Sequence, residues 1–261
     1  MFSEAEAYEK FMGRWSQRLA PLLVKFAVIQ DGDAVLDVGS GTGVLALHIA
    51  GAAASRRVTG VDPSAAYIEF AQKRASTNNV NFEVGDAQQL RFSDSTFDRT
   101  LALLVMNFIP DRAKALREMI RVTRPGGVVA AAVWDYGEGM EMLRIFWDEA
   151  VARDPAIGSR DERHMPLSRK GELEAFWREN GLLEVEEQPL TVQLDFSSFD
   201  DFWTPFLAGQ GPAGAHVASV SAEQRAELQS RLRRRLLGDG PDRPFTLKAQ
   251  VWAVKGVVPP R

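Results

Sequence analysis

Val35-Leu36-Asp37-Val38-Gly39-Ser40-Gly41-Thr42-Gly43 is the stretch on which the reading of this chain turns. Ala34–Val38 is a short apolar run of strand type. It ends in three glycines at alternate positions, and Val44–Ala54, apolar and Ala-rich, follows as a helix. Glycine accepts the backbone angles of a tight strand-to-helix turn and, without a Cβ, lets a ligand come close to the main chain. The helix start beyond it offers N–H groups with no intrahelical partner. Glycines between a strand and a helix mark a cofactor loop far better than the same glycines elsewhere.

Outward from the turn the alternation continues. Arg57–Val61, Val80–Val84, Thr96–Val105 and Val128–Trp134 read as strands. Asp62-Pro63-Ser64 reads as a strand exit opening a helix to about Ser76, with Pro in its first turn. Asp111–Val122 is an amphipathic helix, stopped by Arg124-Pro125-Gly126-Gly127. Strands alternating with helices predict βαβ units and a parallel sheet. Continuous apolar strands predict that both faces are covered. The expected fold is a doubly wound α/β domain, which binds ligands at the C-terminal strand ends. Residues 8–29 read as helix, with Pro21 a candidate break. After Trp134 the rhythm changes: Gly139–Arg153, Ser168–Asn180, Phe199–Leu207 and Ala222–Leu237 read as helices. Leu182–Phe196 contains a strand interrupted by Pro189, Phe245–Lys255 alternates like a last strand, and Ala208–Ala215, rich in Gly and Pro, reads as a loose linker.

Composition narrows the function classes. The 261 residues are 45% hydrophobic and 25% charged, ordinary for a globular protein. A net charge of −4 lacks the basic footprint of nucleic-acid binding. With no cysteine there are no disulfides or thiolate nucleophiles, and His48, His164 and His216 match no metal-ligand spacing, so no metal is expected. A membrane span needs about 20 apolar residues; the longest clean runs, Gly127–Trp134 and Leu101–Met106, are far shorter. Glu4, Glu6 and Glu9 do not resemble the basic start of a leader, so a cytoplasmic protein without stable membrane insertion is the expectation. The oligomeric state is open.

Two further acids stand where a nucleoside would need them. Asp62 ends the second strand, and its carboxylate can accept from two ribose hydroxyls. Asp86 follows the third strand in Gly85-Asp86-Ala87. Three acids at three successive strand ends are hard to attribute to chance.

The pattern acidic-x-Gly-x-Gly-x-Gly at Asp37–Gly43 resembles the first motif of class I S-adenosylmethionine (SAM) dependent methyltransferases. Phe97-Asp98, Leu104–Asp111 and Arg121–Gly127 extend the likeness, and 34–134 as a whole resembles the methyltransferase type 11 group of quinone and natural-product enzymes. The resemblance implies a mostly parallel seven-stranded Rossmann-like sheet, a SAM-binding core at 31–135, and cap or substrate-side segments at 1–30, 136–167 and 196–244 of one domain. It implies SAM contacts at Asp37, Gly39, Ser40, Gly41, Asp62, Pro63 and Leu104, with Asp86 and the Ala87 N–H at the adenine edge. Tyr8–Trp15 resembles the helix that caps the site, with Arg14 a cation for the methionine carboxylate and Tyr8 or Trp15 an aromatic face for the sulfonium. One departure stands out: where many relatives carry His after the fourth strand, this chain has Asn107-Phe108.

The acceptor is expected to be a small, largely apolar organic molecule. All six tryptophans lie outside 31–133, in segments that could enclose it. Phe199, Phe202, Trp203 and Phe206 fall at helical spacing, so Trp203 and Phe206, with Asn107, are candidate substrate contacts, a buried stripe being the competing reading. His164 and His216 are base candidates, and His48 reads as structural; no catalytic residue is assigned. The clustered Arg231, Arg233, Arg234 and Arg235 read as a solvated face. Two other functions stay open: a non-catalytic SAM-binding module, and a nicotinamide-dinucleotide dehydrogenase. Against the second, Val44 occupies the third small-residue position and Asp86 has no role.

Overall fold

In the computed structural model, residues 9–260 are described; Tyr8 lies outside them. A π-helical turn, Glu9–Gly13, leads into α1, Arg14–Phe26. Pro21 does not break α1, because its ring sits on the exposed face while Trp15, Leu19, Leu23 and Phe26 stay buried on the other.

The core follows as β1 (Ala34–Val38), α2 (Val44–Ala52), β2 (Arg57–Asp62), α3 (Ala65–Arg74), β3 (Val80–Val84), β4 (Phe97–Leu103), α4 (Arg112–Val122) and β5 (Thr123–Trp134). Ser64 and Asp111 cap α3 and α4 by accepting the N–H of Tyr67 and Lys114. Pro63 therefore precedes the helix instead of lying in its first turn. The expected stop at Arg124–Gly127 is drawn into β5, with an irregular register against β4.

Downstream come α5 (Glu141–Arg153), α6 (Glu172–Glu179), β6 (Leu183–Phe196), α7 (Phe199–Trp203), α8 (Gly211–Ser219), α9 (Ala222–Leu237) and β7 (Phe245–Val257). The sheet has seven strands in the order β3-β2-β1-β4-β5-β7-β6. The first five are parallel, and β7 and β6 join antiparallel. Pro189 does not interrupt β6, because β6 is an edge strand and a missing N–H can face outward there.

Two expectations change. The helix read over Phe199–Leu207 stops at Trp203 and tightens into a 3-10 turn over Thr204–Ala208, where Pro205 lacks the N–H an α-helix needs. The stretch read as a loose linker forms α8, with Pro212 in its first turn. Gly214 is required there: a Cβ would lie 2.7 Å from the Gly209 carbonyl carbon.

The core is continuous through all these parts. Trp15, Trp147 and Trp177 are fully buried beside the aliphatic sheet residues Leu36, Leu101 and Val129. Among the described residues no helix is long and apolar enough to cross a membrane.

Candidate active site

The glycine turn is stitched to the neighbouring strand: the N–H groups of Gly39 and Ser40 both donate to the Val61 carbonyl, at 2.8 and 2.9 Å. Gly39, Gly41 and Gly43 have φ of 69°, 51° and 86°, the left-handed region that glycine alone enters cheaply. The three differ in their surroundings. A Cβ on Gly39 would meet Val105 Cγ2 at 2.5 Å and one on Gly43 the Ala71 Cβ at 2.9 Å, whereas one on Gly41 would find open space. Gly39 and Gly43 thus allow close packing beneath the turn, and Gly41 presents bare backbone outward.

Asp37 stands under the turn, 1% exposed. Its Oδ2 accepts the Ala46 N–H at 3.1 Å, and its Oδ1 has no partner. Burial pushes the Asp37 carboxyl up to about 7; the Ala46 N–H opposes this and the Asp62 charge adds to it. Ser40 Oγ is also buried without a partner. Both residues line a polar recess of about 30 Å³ that Ser16, Gly39, Gly41 and Thr42 complete.

The register carries the acids to one edge. Val38 pairs with Val61 and Asp62 with Val84, so Asp37, Asp62 and Gly85-Asp86 mark the ends of three adjacent parallel strands. Asp62 Oδ2 accepts the Gly41 N–H and Oδ1 the Ser64 N–H, each at 2.9 Å. A carboxylate has about four lone-pair positions, so about two remain. Burial raises the Asp62 carboxyl, against the pull of these two N–H groups. Asp86 is exposed and held below the ordinary range by the backbone and side-chain N–H groups of Gln88. Ala87 beside it is buried.

At the exit of β4, Leu104 holds a φ of 62°, strained for a branched side chain, while its N–H bonds to the Ala132 carbonyl at 2.8 Å. Asn107 is 4% exposed, with neither amide atom partnered among the described residues. A cavity of about 240 Å³ opens here, walled by Met12, Leu104, Phe108, Trp134, Leu143 and the Gln210–Pro212 turn, with Tyr67, Tyr136 and Glu162 also at its surface.

Other candidate side chains are placed away from these walls. Arg14 Nη1 bonds to Asp201 Oδ1 at 2.8 Å and its guanidinium lies 4.1 Å over the Trp15 ring, so a methionine carboxylate would have to compete with Asp201. Trp203 and Phe206 are 3% and 0% exposed in an aromatic cluster, Phe206 stacked on Phe146 at 4.8 Å. His164 is exposed; His216 is buried against Trp147. Arg231 and Arg235 pair with Glu149 on α5, and Arg235 also with Asp148, which accounts for part of the basic cluster. Glu162 is the residue that sequence reasoning missed. Its only local signal is a short acidic segment, Asp161-Glu162, of the kind that is normally solvated.

A family model described as a methyltransferase domain matches residues 35–127. A protein of Mycobacterium tuberculosis with no assigned function is 34% identical over 222 residues, covering 82% of this chain and 78% of that one. The ubiquinone/menaquinone biosynthesis C-methyltransferase of Bdellovibrio bacteriovorus is 37% identical over 118 residues, 44% of this chain; the match spans about half of that protein, 49%. The fold matches Haemonchus contortus phosphoethanolamine N-methyltransferase 2, solved with phosphomonomethylethanolamine and S-adenosylhomocysteine. The TM-score is 0.59 at 22% identity, over 98% of this chain and 57% of that one. Over residues 35–127 the chain carries a class I SAM-dependent methyltransferase domain. The residues present suit that cofactor: the unpartnered Asp37 Oδ1 and Ser40 Oγ offer buried acceptors beside a bare-backbone turn.

Proposed function

We propose that this protein methylates a small, largely apolar organic acceptor held in the 240 Å³ cavity at the strand ends. The observation that carries the reading is the row of Asp37, Asp62 and Asp86 at the ends of β1, β2 and β3, with an apolar cavity opening beside Leu104 at the exit of β4, the strand that pairs with β1 on its other side. When bound, SAM supplies a methyl group on a sulfonium, already activated toward displacement. Asp37 Oδ1 and Ser40 Oγ would hold its ammonium group, whose positive charge would favour the ionised form of the buried Asp37. The bare backbone at Gly41 would let the methionine portion lie close, with Gly39 letting the turn pack on Val105 beneath it. Asp62 would give its two remaining lone-pair positions to the ribose hydroxyls, with Pro63 following it in the turn. Asp86 would release the Gln88 amide to accept from the adenine amine, and the Ala87 N–H would donate to the ring. Leu104 and Asn107 stand between the two halves of the site. Arg14, through Asp201, anchors the cap instead of the carboxylate.

The chain's chief task is then positioning. Near-attack geometry can supply several kcal/mol of the barrier. The apolar walls exclude water that would compete. Calorimetric titration with SAM and with NAD is the first test: the reading expects binding of SAM and none of NAD. Labelled SAM with a library of phenols, enols, amines and thiols then tests transfer. SAM binding without transfer to any of them would favour a non-catalytic module, and NAD binding in place of SAM would overturn the reading.

A further inference from the structure

We propose that Glu162 is the proton acceptor for an acidic hydroxyl on the acceptor, of phenol or enol type, so that methylation takes place at that oxygen. This rests on the methyltransferase reading above and goes further, to a residue and a substrate class.

The argument begins with position. Glu162 opens a 3-10 turn, Glu162–His164, that Asp161 caps by accepting the Arg163 N–H. It is 4% exposed, yet it reaches the cavity surface, where it is the only carboxylate among the described lining residues. Its Oε2 accepts from Trp147 Nε1 on α5, and its Oε1 from the Ala213 N–H on α8 at 3.4 Å. These donors fix the carboxylate from two sides and leave lone pairs open to a ligand.

Among the described residues Glu162 forms no ion pair, the nearby Arg144 being bonded to Asp161. Arg144, the guanidinium on α5, makes two bonds to Asp161, at 3.1 Å to Oδ2 and a shorter one to Oδ1. Arg163 binds Asp161 as well, at 2.6 Å. From α8, the His216 ring packs tilted against Trp147, and burial, with the charges of Arg160 and Arg153, holds its imidazole below the ordinary range. The phenols of Tyr67 and Tyr136 complete the polar set at the cavity. Burial pushes Glu162 up to about 7, opposed by the backbone N–H groups of Glu162 and Ala213 and by the Arg144 charge, and assisted by the Asp161 charge. A base poised near neutral pH is the most effective kind.

The chemistry selects the acceptor. A neutral amine is nucleophilic as it stands, whereas a hydroxyl must shed its proton. The O–H bond breaks and its proton passes to Glu162, which returns it to water when the product leaves; the oxygen's electron pair forms the O–C bond to the methyl carbon as the methyl–sulfur bond of SAM breaks, its pair staying on sulfur, which leaves as the neutral thioether of S-adenosylhomocysteine. Charge balances, because the methyl group arrives as a cation equivalent. His164 is exposed, so Glu162 supplies the base where the β4 exit offers Asn107-Phe108.

The test uses the full chain with 2-naphthol and its methyl ether, 2-methoxynaphthalene, titrated by calorimetry. Wild type at pH 8 is expected to bind the naphthol about tenfold more tightly than the ether, the scale of a hydrogen bond to a charged acceptor. The preference should shrink as pH falls through about 7. In Glu162→Gln it should drop below about threefold at pH 8, with SAM affinity unchanged in the same samples. Equal binding of the two probes by wild type, binding of neither, or a preference retained in Glu162→Gln would overturn the assignment. If the variant does not fold, the wild-type pH series decides alone. Failure of wild type to bind SAM would instead count against the reading of the whole site.

Discussion

Replacing Asp37 by Asn should make the ligand-free protein more stable at neutral pH and worse at holding SAM. Asp37 is 1% exposed, and burial moves its carboxyl from 3.8 in the unfolded chain up to about 7. The native state therefore binds the proton more tightly than the unfolded state. Stability contributed by the group is fully present below pH 3.8 and is lost as pH rises through about 7. The ceiling on that loss is about 4 kcal/mol, three pH units at about 1.4 kcal/mol each. Between pH 5 and 7 the wild type should lose about 2 kcal/mol through this group, allowing for half-ionisation at the upper end. Asn keeps an oxygen for the Ala46 N–H and does not ionise, at the cost of about 1–3 kcal/mol for the amide end left unpaired where Oδ1 stood. Urea unfolding at pH 5, 6, 7 and 8 should show the variant gaining on wild type by about 2 kcal/mol from pH 5 to 7, at unchanged m-value. SAM affinity at pH 7.5 should fall by about tenfold or more, since a charged hydrogen bond to the ammonium is lost. A stability difference that does not vary with pH would refute the account of Asp37, and unchanged SAM affinity would remove it from the cofactor site.

Three other substitutions probe the same structure. Asp62→Ala leaves the N–H groups of Gly41 and Ser64 unpaired and removes the proposed ribose contact, so SAM binding by calorimetry should weaken by about 1.5–3 kcal/mol in a protein of near-native circular dichroism; unchanged affinity would sink the assignment. Gly39→Ala forces a Cβ to 2.5 Å from Val105 at a φ of 69°, and should lower both Tm and SAM affinity; adding Val105→Ala should restore part of the Tm, and no recovery would show that backbone strain, not the clash, dominates. Phe206→Ala should cost about 3–5 kcal/mol in chemical unfolding, because Phe206 is fully enclosed and stacked on Phe146; a loss under about 1 kcal/mol would return it to the acceptor side.

The exit edge of β1, β2 and β3 was legible because its signals are local. The glycines at 39, 41 and 43 announce left-handed backbone by residue type alone, and all three adopt it. The structure gives Ala34–Val38 and Val80–Val84 the bounds that the sequence reading gave them. The residues after each strand define its exit, so Asp37, Asp62 and Asp86 could be placed on one edge once the strands were known to be parallel and adjacent. What needed tertiary structure is whatever joins distant segments. Arg14 meets Asp201 across 187 positions, a pairing no window of sequence contains. Pro189 reads as a break until its strand is found at the sheet's edge. Ala208–Ala215 looks like a linker until Gly214 packs on Gly209.

Glu162 shows the division most clearly. As a residue type in sequence it belongs in water. Its burial, its bond to Trp147 fifteen positions away and its bond to Ala213 fifty-one away arise only when α5 and α8 close around it. Residue identity and short-range spacing determined the strands, the turn and the row of acids at the strand ends, because those depend on backbone angles and the alternation of apolar side chains. Burial and electrostatic environment depend on which segments meet, and so the protonation of Asp37 and Glu162 and the shape of the cavity at the β4 exit were decided by the folded structure alone.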